Sequence, residues 1–275
     1  LVLATGEMGL ERIRADSSTH PNTHFVVFDS PNLSIRASNL KSITFEEHEV
    51  SYLLGYLAGS LSQTGVLGFV GDDTKNALIN EAAFYQGIMM ACRACTLESE
   101  FVMNSQDAVA AKALAQTLQG KDADIFYTNA GEASQGVIDF VNATKCFSPD
   151  QTRPSPLRAA LPNISKGLDY LSSCSSASPL FFMGTGRFQP ELGDTDNDPT
   201  TLNHGLTSVH KRIDFSAYEA IKSFLNGTFR GGQQQLGLND GAVEIAIDDY
   251  NRALLPAEVL AQLEALKTQI ISGQL

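Results

Sequence analysis

Short apolar runs and longer segments with a one-sided apolar pattern alternate along nearly the whole chain. The short runs have the length and boundaries of buried strands; they are LVLATG (1–6), HFVVFD (24–29), GVLGFVG (65–71), ADIFYTNA (123–130), PLFFMGTG (179–186) and GLTSVH (205–210). Helices are predicted between and after them, over 7–16, 45–62, 75–91, 107–119 and 132–144, after Asp214 and after Pro256. Strands that alternate with helices predict an α/β fold with parallel sheets.

The 45–62 helix has the clearest pattern of these segments. One face carries its large apolar side chains, and its first turn carries acids that the helix dipole favours. Gly55 and Gly59 on this helix predict close packing against a sheet.

The carboxyl ends of the predicted strands supply candidate ligand-binding residues, because ligands of parallel sheets bind beyond those ends. The candidates are Thr5–Glu7, Asp29, Gly71–Asp73, Asn129–Glu132 and Gly184–Arg187. A further candidate is Lys211, which with Arg212 stands directly before a predicted helix start. The helix dipole disfavours cations there, so we expect a negative or oxygen-rich group to meet Lys211 from outside the helix.

Two other segments interrupt the strand–helix alternation. Residues 147–178 hold four prolines and many serines, which predicts a surface insertion with little structure of its own. Residues 233–247 are predicted to form a hairpin that turns at Asn239–Gly241. Asp240 in that turn is either a turn-forming residue or a ligand contact.

The four cysteines permit disulfides without requiring them. Cys146 and Cys174 flank the insertion, and a bridge between them would close its loop. Cys92 and Cys95 fall late in a helical pattern, whereas a redox-active pair at this spacing normally opens a helix. For this second pair the sequence therefore favours buried thiols.

Composition excludes several function classes. The 275 residues are 43% hydrophobic, with a formal net charge of -12 and a pI near 4.8, which argues against binding to nucleic acid or to an anionic membrane. No apolar run reaches the roughly 18 residues that a membrane-spanning helix needs.

Motifs for catalysis or for a metal are incomplete. GDDTK (71–75) and GTGR (184–187) follow strands, but neither completes a nucleotide-binding motif. The acidic loop 194–205 begins like a calcium loop, but Pro199 and Gly205 replace its essential glycine and glutamate. We therefore expect no enzyme activity, no cofactor and no metal.

Several blocks, in order, resemble the basic membrane protein family of bacterial solute-binding lipoproteins, which includes purine-nucleoside receptors of ABC transporters. The blocks are FEEHEVSYLLGYLAGSLSQTGVLGFVG (45–71), LTSVHKRIDFSAYEAI (206–221), GLNDGAVEIA (237–246) and ALLPAEVLAQLEALKTQIISG (253–273). The resemblance implies a two-lobed type I periplasmic-binding-protein fold that closes on a small ligand. It places 1–44 and 205–247 in lobe 1, 45–204 with the insertion in lobe 2, and 248–275 in a C-terminal helical segment.

The resemblance also implies roles for particular residues. Lys211 aligns with the lysine that reaches into the family's interlobe cleft, and Asn129, Glu132 and Arg187 are expected on the opposite wall. Gly186 stands where the family has an aspartate that binds ribose hydroxyls. The next residue, Arg187, adds a planar guanidinium that donates hydrogen bonds. A ligand with carboxylate or carbonyl oxygens is therefore expected in preference to a bare ribose diol.

The expected function is capture of a small polar, nucleoside-like ligand for an ABC transporter permease. The protein is expected in the periplasm or lipid-anchored at the outer face of the cell membrane. The alternative is a divergent sensor or orphan binding protein of the same fold that does not bind nucleosides. The family begins with a further half-lobe that this sequence does not show, so lobe 1 is expected to be incomplete, with strand 1–6 at an open sheet edge.

Overall fold

The computed structural model describes residues 1–5, 10–30, 37–174, 177–186 and 189–275. These residues form two compact units. The first comprises Leu1–Glu47 and Lys211–Glu244, and the second comprises His48–His210 and Ile245–Leu275. The C-terminal helical segment, which the sequence analysis set apart, belongs to the second unit.

Strands and helices alternate along the described residues. In chain order they are β1 Val2–Thr5, α1 Leu10–Thr19, β2 Phe25–Phe28, β3 Leu40–Phe45, α2 Glu47–Leu61, β4 Val66–Asp72, α3 Lys75–Ala91, β5 Thr96–Val102, α4 Ala108–Gln119, β6 Ile125–Asn129, α5 Ser134–Thr144, β7 Cys146–Phe147, α6 Pro156–Ala160, α7 Leu168–Ser173, β8 Ser178–Pro179, β9 Phe181–Gly184, β10 Gly205–Lys211, α8 Ile213–Leu225, β11 Gly232–Leu236, β12 Val243–Ile245 and α9 Ala257–Ile271.

The first unit is built on a parallel sheet with the strand order β1-β2-β3-β11 among the described residues. Its core joins one face of α1 to the sheet through Ile13, Phe25, Val27 and Leu40. Strand β1 lies at an edge of this sheet, and its Val2 side chain is exposed.

The second unit contains a larger sheet, whose order over the described residues is β12-β10-β9-β6-β4-β5. The strands from β10 to β5 pair in parallel. Aromatic side chains fill one side of this sheet, where the Tyr127 ring packs against Phe69 and Phe84 with centroids 5.5 and 4.8 Å away. The predicted α/β class with parallel sheets is confirmed.

Two strands were missed in the sequence analysis because polar residues interrupt their apolar patterns. Strand β3 (LKSITF) lies between β2 and β11, and β5 (TLESEFV) is an edge strand of the second sheet. Charged residues are common on edge strands, where they discourage pairing with other chains, and Glu98 and Glu100 fit that role.

The predicted hairpin over 233–247 is wrong. Strand β11 pairs with β3, whereas β12 belongs to the sheet of the second unit. The residues between them form a tight turn, in which the Asp240 carboxylate accepts a hydrogen bond from the Gly237 N–H (3.0 Å) and Gly241 has a φ of +69°. The turn residues were recognised correctly, but the strands on either side continue into different sheets.

The insertion has more structure than predicted. It contains α6 and α7, and a short antiparallel β7–β8 ladder closes its base. Leu157 and Tyr170 are buried, so the insertion has apolar anchors despite its prolines and serines. At its base Cys146 and Cys174 form a disulfide with a Cα separation of 5.9 Å.

The prediction of free thiols at Cys92 and Cys95 is also wrong. Helix α3 ends at Ala91 and β5 begins at Thr96, so both cysteines lie in the turn between them instead of within the helix. Their Cα atoms are 5.4 Å apart, and the structure bonds them as a disulfide.

Asp124 and His204 are both fully buried in the second unit. The Asp124 carboxylate accepts hydrogen bonds from the Ser62 hydroxyl (2.8 Å) and the Gln63 N–H (2.5 Å), and its burial raises the pKa to about 6. The Nδ1 of His204 lies 2.8 Å from the Leu180 carbonyl oxygen. A carbonyl only accepts, so Nδ1 carries the proton; burial lowers the pKa of His204 to about 4.

We expect the free energy of unfolding to fall by about 2 kcal/mol as the pH is lowered from about 7 to about 5, because His204 is protonated in the unfolded chain but not in the folded one. The unfolded chain binds a proton at this imidazole near pH 6.5 and the folded chain only near pH 4, so stability is lost as the pH falls through that window. Denaturant unfolding at both pH values, compared between the wild type and His204→Asn, measures the effect.

The comparison with the variant also removes the contribution of Asp124, which changes the free energy of unfolding with pH in the opposite direction. Its folded pKa is raised, so its contribution to stability decreases as the pH rises from 3.8 towards 6. An identical pH dependence in both proteins would contradict the role of His204.

Candidate functional site

Lys211 is held by two carboxylates within the first unit. The lysine ends β10, and its ammonium contacts the carboxylate of Asp29 directly after β2 and that of Glu47 at the start of α2 (Nζ–Oε1 3.4 Å). The side chains of Lys211 and Glu47 are 11% and 4% exposed, whereas that of Asp29 is 37% exposed. Burial alone would lower the pKa of Lys211. The two nearby carboxylates have a larger effect in the opposite direction, so the pKa lies above its usual value.

This arrangement explains the cation before the helix start. The expectation that an oxygen-rich group meets Lys211 is met inside the protein, by the carboxylates of Asp29 and Glu47. Together the three groups carry one positive and two negative charges. The partly exposed carboxylate of Asp29 therefore offers an acceptor to any molecule that reaches the exposed side of the cluster.

Asp29 has an unusual backbone conformation for a residue other than glycine, with a φ of +58°. Its N–H donates to the carbonyl oxygen of Ile43 (2.8 Å), which fixes it beyond the end of β2. Left-handed non-glycine residues cost conformational energy and concentrate at functional sites. The fold thus holds this carboxylate in a fixed position at the carboxyl edge of the first sheet.

Asn129 is the buried polar residue at the carboxyl end of β6 in the second unit. It pairs in register with Gly71 of β4 and is 8% exposed. Its Nδ2 is buried without a hydrogen-bond partner among the described residues. Buried amides are nearly always hydrogen-bonded, so this donor calls for a partner that the described residues do not supply.

Asn80 on α3 lies towards the same edge of the sheet. Helix α3 connects two parallel strands and so runs opposite to them, which puts its first turns near their carboxyl ends. Asn80 comes one helical turn before Phe84, the residue that packs on Tyr127, and its Oδ1 and Nδ2 are both buried without partners in the described residues. The carboxyl edge of the second sheet thus carries two unsatisfied amides.

The segment after β9 turns at Gly186, where the resemblance places an aspartate in the family. Gly186 has a φ of +93°, a conformation that an aspartate rarely adopts. Gln189 follows, and its Nε2 donates to the Thr185 carbonyl oxygen (3.3 Å). Its Oε1 is buried with no partner in the described chain, which adds an unsatisfied acceptor to this strand end.

The other candidates have different outcomes. Glu7 and Arg187 lie outside the described residues. Glu132 is exposed in a short 3-10 turn after β6, and the Asp240 carboxylate caps its own turn. Among the described residues, no three His, Cys, Asp or Glu side chains converge to hold a metal ion.

Sequence analysis missed Glu47, Asn80 and Gln189. Glu47 was interpreted as a helix-dipole acid because it belongs to an acidic first turn, and nothing local connects it to Lys211. Asn80 carries a usable signal, since it is a polar residue on the buried face of α3, with Ala77 and Phe84.

A family model described as ABC transporter substrate-binding protein, PnrA-like (Bmp) matches residues 1–145 of this chain. The chain belongs to this family. The resemblance found in the sequence is confirmed, and this Bmp protein is an ABC transporter substrate-binding protein. The family is one of solute-binding proteins, not of enzymes.

Relatives of this Bmp protein match along nearly its whole length. A CD4+ T-cell-stimulating antigen of Listeria innocua is 25% identical over 100% of this chain and 69% of its own length. The ABC transporter nucleoside-binding protein BmpA of Lactococcus lactis is 22% identical over 95% of this chain and 66% of its own length.

Solved structures support the fold. An ABC transporter system solute-binding protein from Aeropyrum pernix superposes with a TM-score of 0.69 at 19% identity, covering 99% of this chain and 75% of that protein. This likeness confirms the type I periplasmic binding fold for the Bmp protein.

Proposed function

We propose that this protein binds a neutral, hydroxyl-rich solute of the nucleoside class outside the cytoplasm and presents it to an ABC permease. The observation that carries the proposal is the Lys211–Asp29–Glu47 cluster. Its partly exposed Asp29 carboxylate favours ligands that donate hydrogen bonds, such as sugar hydroxyls, and its ammonium can donate to a ligand oxygen. The name of the Lactococcus relative, a nucleoside-binding protein, supports this ligand class.

The cluster argues against a carboxylate ligand, which the sequence analysis expected alongside a carbonyl ligand. That expectation depended on Arg187, which lies outside the described residues. A carboxylate ligand would approach the partly exposed carboxylate of Asp29, and like charges at short range are unfavourable. A neutral solute avoids this repulsion.

Asp29 can take over the task of the family's ribose-binding aspartate. Gly186 offers no carboxylate, whereas the Asp29 carboxylate is partly exposed and fixed by its backbone. We propose that Asp29 and Lys211 contact ligand hydroxyls, and that Asn129 donates to a ligand acceptor through its unsatisfied Nδ2.

Asn129→Leu is expected to weaken ligand binding about tenfold while leaving the free energy of unfolding nearly unchanged. None of the described residues accepts a hydrogen bond from Nδ2, so an apolar side chain of similar size removes no such bond from the unbound protein, whereas the bound complex loses a donor. Calorimetric titration with inosine measures the affinity, and Asn104→Leu on an exposed loop is the matched control. An unchanged affinity in Asn129→Leu would show that Asn129 is not a ligand contact.

A titration panel tests the ligand class. Inosine, adenosine, ribose and acidic metabolites such as citrate are compared by calorimetry on the wild-type protein. We expect the nucleosides to bind and the acids not to bind. Binding of an acid in preference to every nucleoside would overturn the proposal.

The second candidate function is a divergent sensor or orphan binding protein that does not take nucleosides. Gly186 favours it, because both its side chain and its φ of +93° differ from what the family's ribose contact needs. If the folded protein binds none of the nucleosides in the titration, that result would support this alternative.

An extracytoplasmic location is part of the proposal. Both cysteine pairs are disulfide-bonded, and disulfides persist in oxidising compartments. We propose attachment as a lipoprotein at the outer face of the cell membrane, and the relatives named basic membrane proteins support a membrane-associated location. Within the described residues, no helix has the length and apolar character to cross a membrane.

A further inference from the structure

The Cys92–Cys95 disulfide lies beside the guanidinium of Arg153, which is partly buried. The Nη1 of this guanidinium is 2.8 Å from the Sγ of Cys95 and 3.1 Å from the Sγ of Cys92, and it also donates to the carbonyl oxygen of Gly59 (3.1 Å). The backbone N–H of Arg153 donates to the Gln63 carbonyl oxygen (2.6 Å), which anchors the arginine from its own main chain. The cation is therefore held in place against both sulfurs.

We propose that Cys92 and Cys95 form a thiol–disulfide exchange site that accepts electrons from a dithiol, with Arg153 stabilising the thiolate that leaves. A guanidinium within hydrogen-bond distance favours a thiolate over a thiol. The two cysteines are separated by three positions, so their bond closes a very short loop and gains little from chain entropy. Both features should make the Cys92–Cys95 bond easier to reduce than the Cys146–Cys174 bond, which closes a loop of 28 positions.

The geometry also assigns the order of attack. Cys92 is partly exposed, whereas Cys95 is 5% exposed and has the shorter contact with Arg153. Cys92 also caps the carboxyl end of α3, where the helix dipole disfavours a negative sulfur. An external thiolate therefore attacks Cys92, and Cys95 is the leaving group.

The exchange balances without a further reagent. One thiolate of the dithiol forms a bond to the Sγ of Cys92 as the Cys92–Cys95 bond breaks, and the electron pair remains on Cys95 beside Arg153. The second thiol of the reagent then loses its proton and attacks its own sulfur in the mixed disulfide. Cys92 leaves as a thiolate and takes up one proton, while Cys95 remains a thiolate beside Arg153. The protein thus gains two electrons and one proton, and the dithiol becomes a disulfide and releases its other proton to the solvent.

The test equilibrates the full chain with mixtures of reduced and oxidised dithiothreitol. The samples are quenched in acid, alkylated and analysed by peptide mass spectrometry, so that each pair is counted separately. We expect Cys92–Cys95 to be half reduced at a reduced-to-oxidised ratio at least about tenfold lower than Cys146–Cys174, which serves as an internal control. Equal resistance of the two bonds would overturn the proposal.

Two substitutions isolate the arginine. Arg153→Gln should raise the ratio needed for half reduction of Cys92–Cys95 about tenfold, because it removes the cation next to Cys95. Arg158→Gln changes a nearby exposed cation that, among the described residues, makes no hydrogen bond to either sulfur, and it should leave the ratio unchanged.

Arg153→Lys keeps the positive charge, so its Cys92–Cys95 bond should be easier to reduce than the same bond in Arg153→Gln. If Arg153→Gln fails to fold, the lysine variant and the wild-type comparison of the two bonds decide the question. Wild-type behaviour of a folded Arg153→Gln would refute the role of the guanidinium.

Discussion

Lys211→Met is expected to lower the free energy of unfolding by about 3 kcal/mol and to weaken solute binding. The Glu47 carboxylate is 4% exposed, so loss of the ammonium leaves a buried negative charge without its nearest cation. Denaturant unfolding measures the first effect, and calorimetric titration with inosine measures the second. Wild-type stability in this variant would show that Lys211 is not a partner of the buried carboxylate.

Two further variants separate charge from packing at Lys211. Lys211→Met combined with Glu47→Gln should recover part of the lost stability, because both members of the buried pair are then neutral. Lys222→Met removes a lysine whose ion pair with Glu219 is exposed, and it should leave stability nearly unchanged.

The same lysine contributes a pH signature. Its folded pKa is raised, so its contribution to stability is complete below its unfolded pKa of 10.5 and is lost as the pH rises through the folded value. We expect Lys211→Met to lose stability less steeply than the wild type above about pH 10.

Gly87→Ala is expected to destabilise the protein by more than about 4 kcal/mol. Helices α2 and α3 cross at their glycines, and a Cβ at Gly87 would lie 2.0 Å from the Tyr52 carbonyl oxygen. On the other helix a Cβ at Gly55 would lie 1.9 Å from the Phe84 carbonyl oxygen. Both clashes are with backbone, so the helices themselves must separate, which costs more than the rearrangement of a side chain.

Denaturant unfolding of Gly87→Ala against Gly120→Ala tests the helix crossing. Gly120 has a φ of -63°, and its added Cβ would lie 3.3 Å from the nearest neighbouring atom, the Thr117 carbonyl oxygen, so alanine should be tolerated there. A loss of less than about 1 kcal/mol in Gly87→Ala would contradict the close approach of the helices.

The helix crossing also shows how far the sequence could predict packing. The positions of Gly55 and Gly59 indicated a close approach correctly, but the partner is α3 and not a sheet. Apolar runs predicted the central strands β4, β6 and β9 because each is buried on both faces. Strands β3 and β5 were missed because their polar residues are accommodated by neighbours that only the folded chain brings together.

For the candidate site, sequence reasoning found single residues but not their partners. Asp29 and Lys211 were recognised from a strand end and from an unfavourable charge before a helix. Their contact joins parts of the chain that are 182 positions apart, and no local pattern contains it. The same limit applies to Arg153, which comes from the insertion and lies 58 positions from Cys95.

Native mass spectrometry of the protein purified without denaturation tests the central claim most directly. Solute-binding proteins that hold their ligand tightly carry it through purification, and the mass of the retained molecule identifies its class. We predict a retained neutral nucleoside that is lost on unfolding and is reduced in Lys211→Met. Retention of an acidic metabolite instead, with nucleosides unable to displace it, would contradict the proposal.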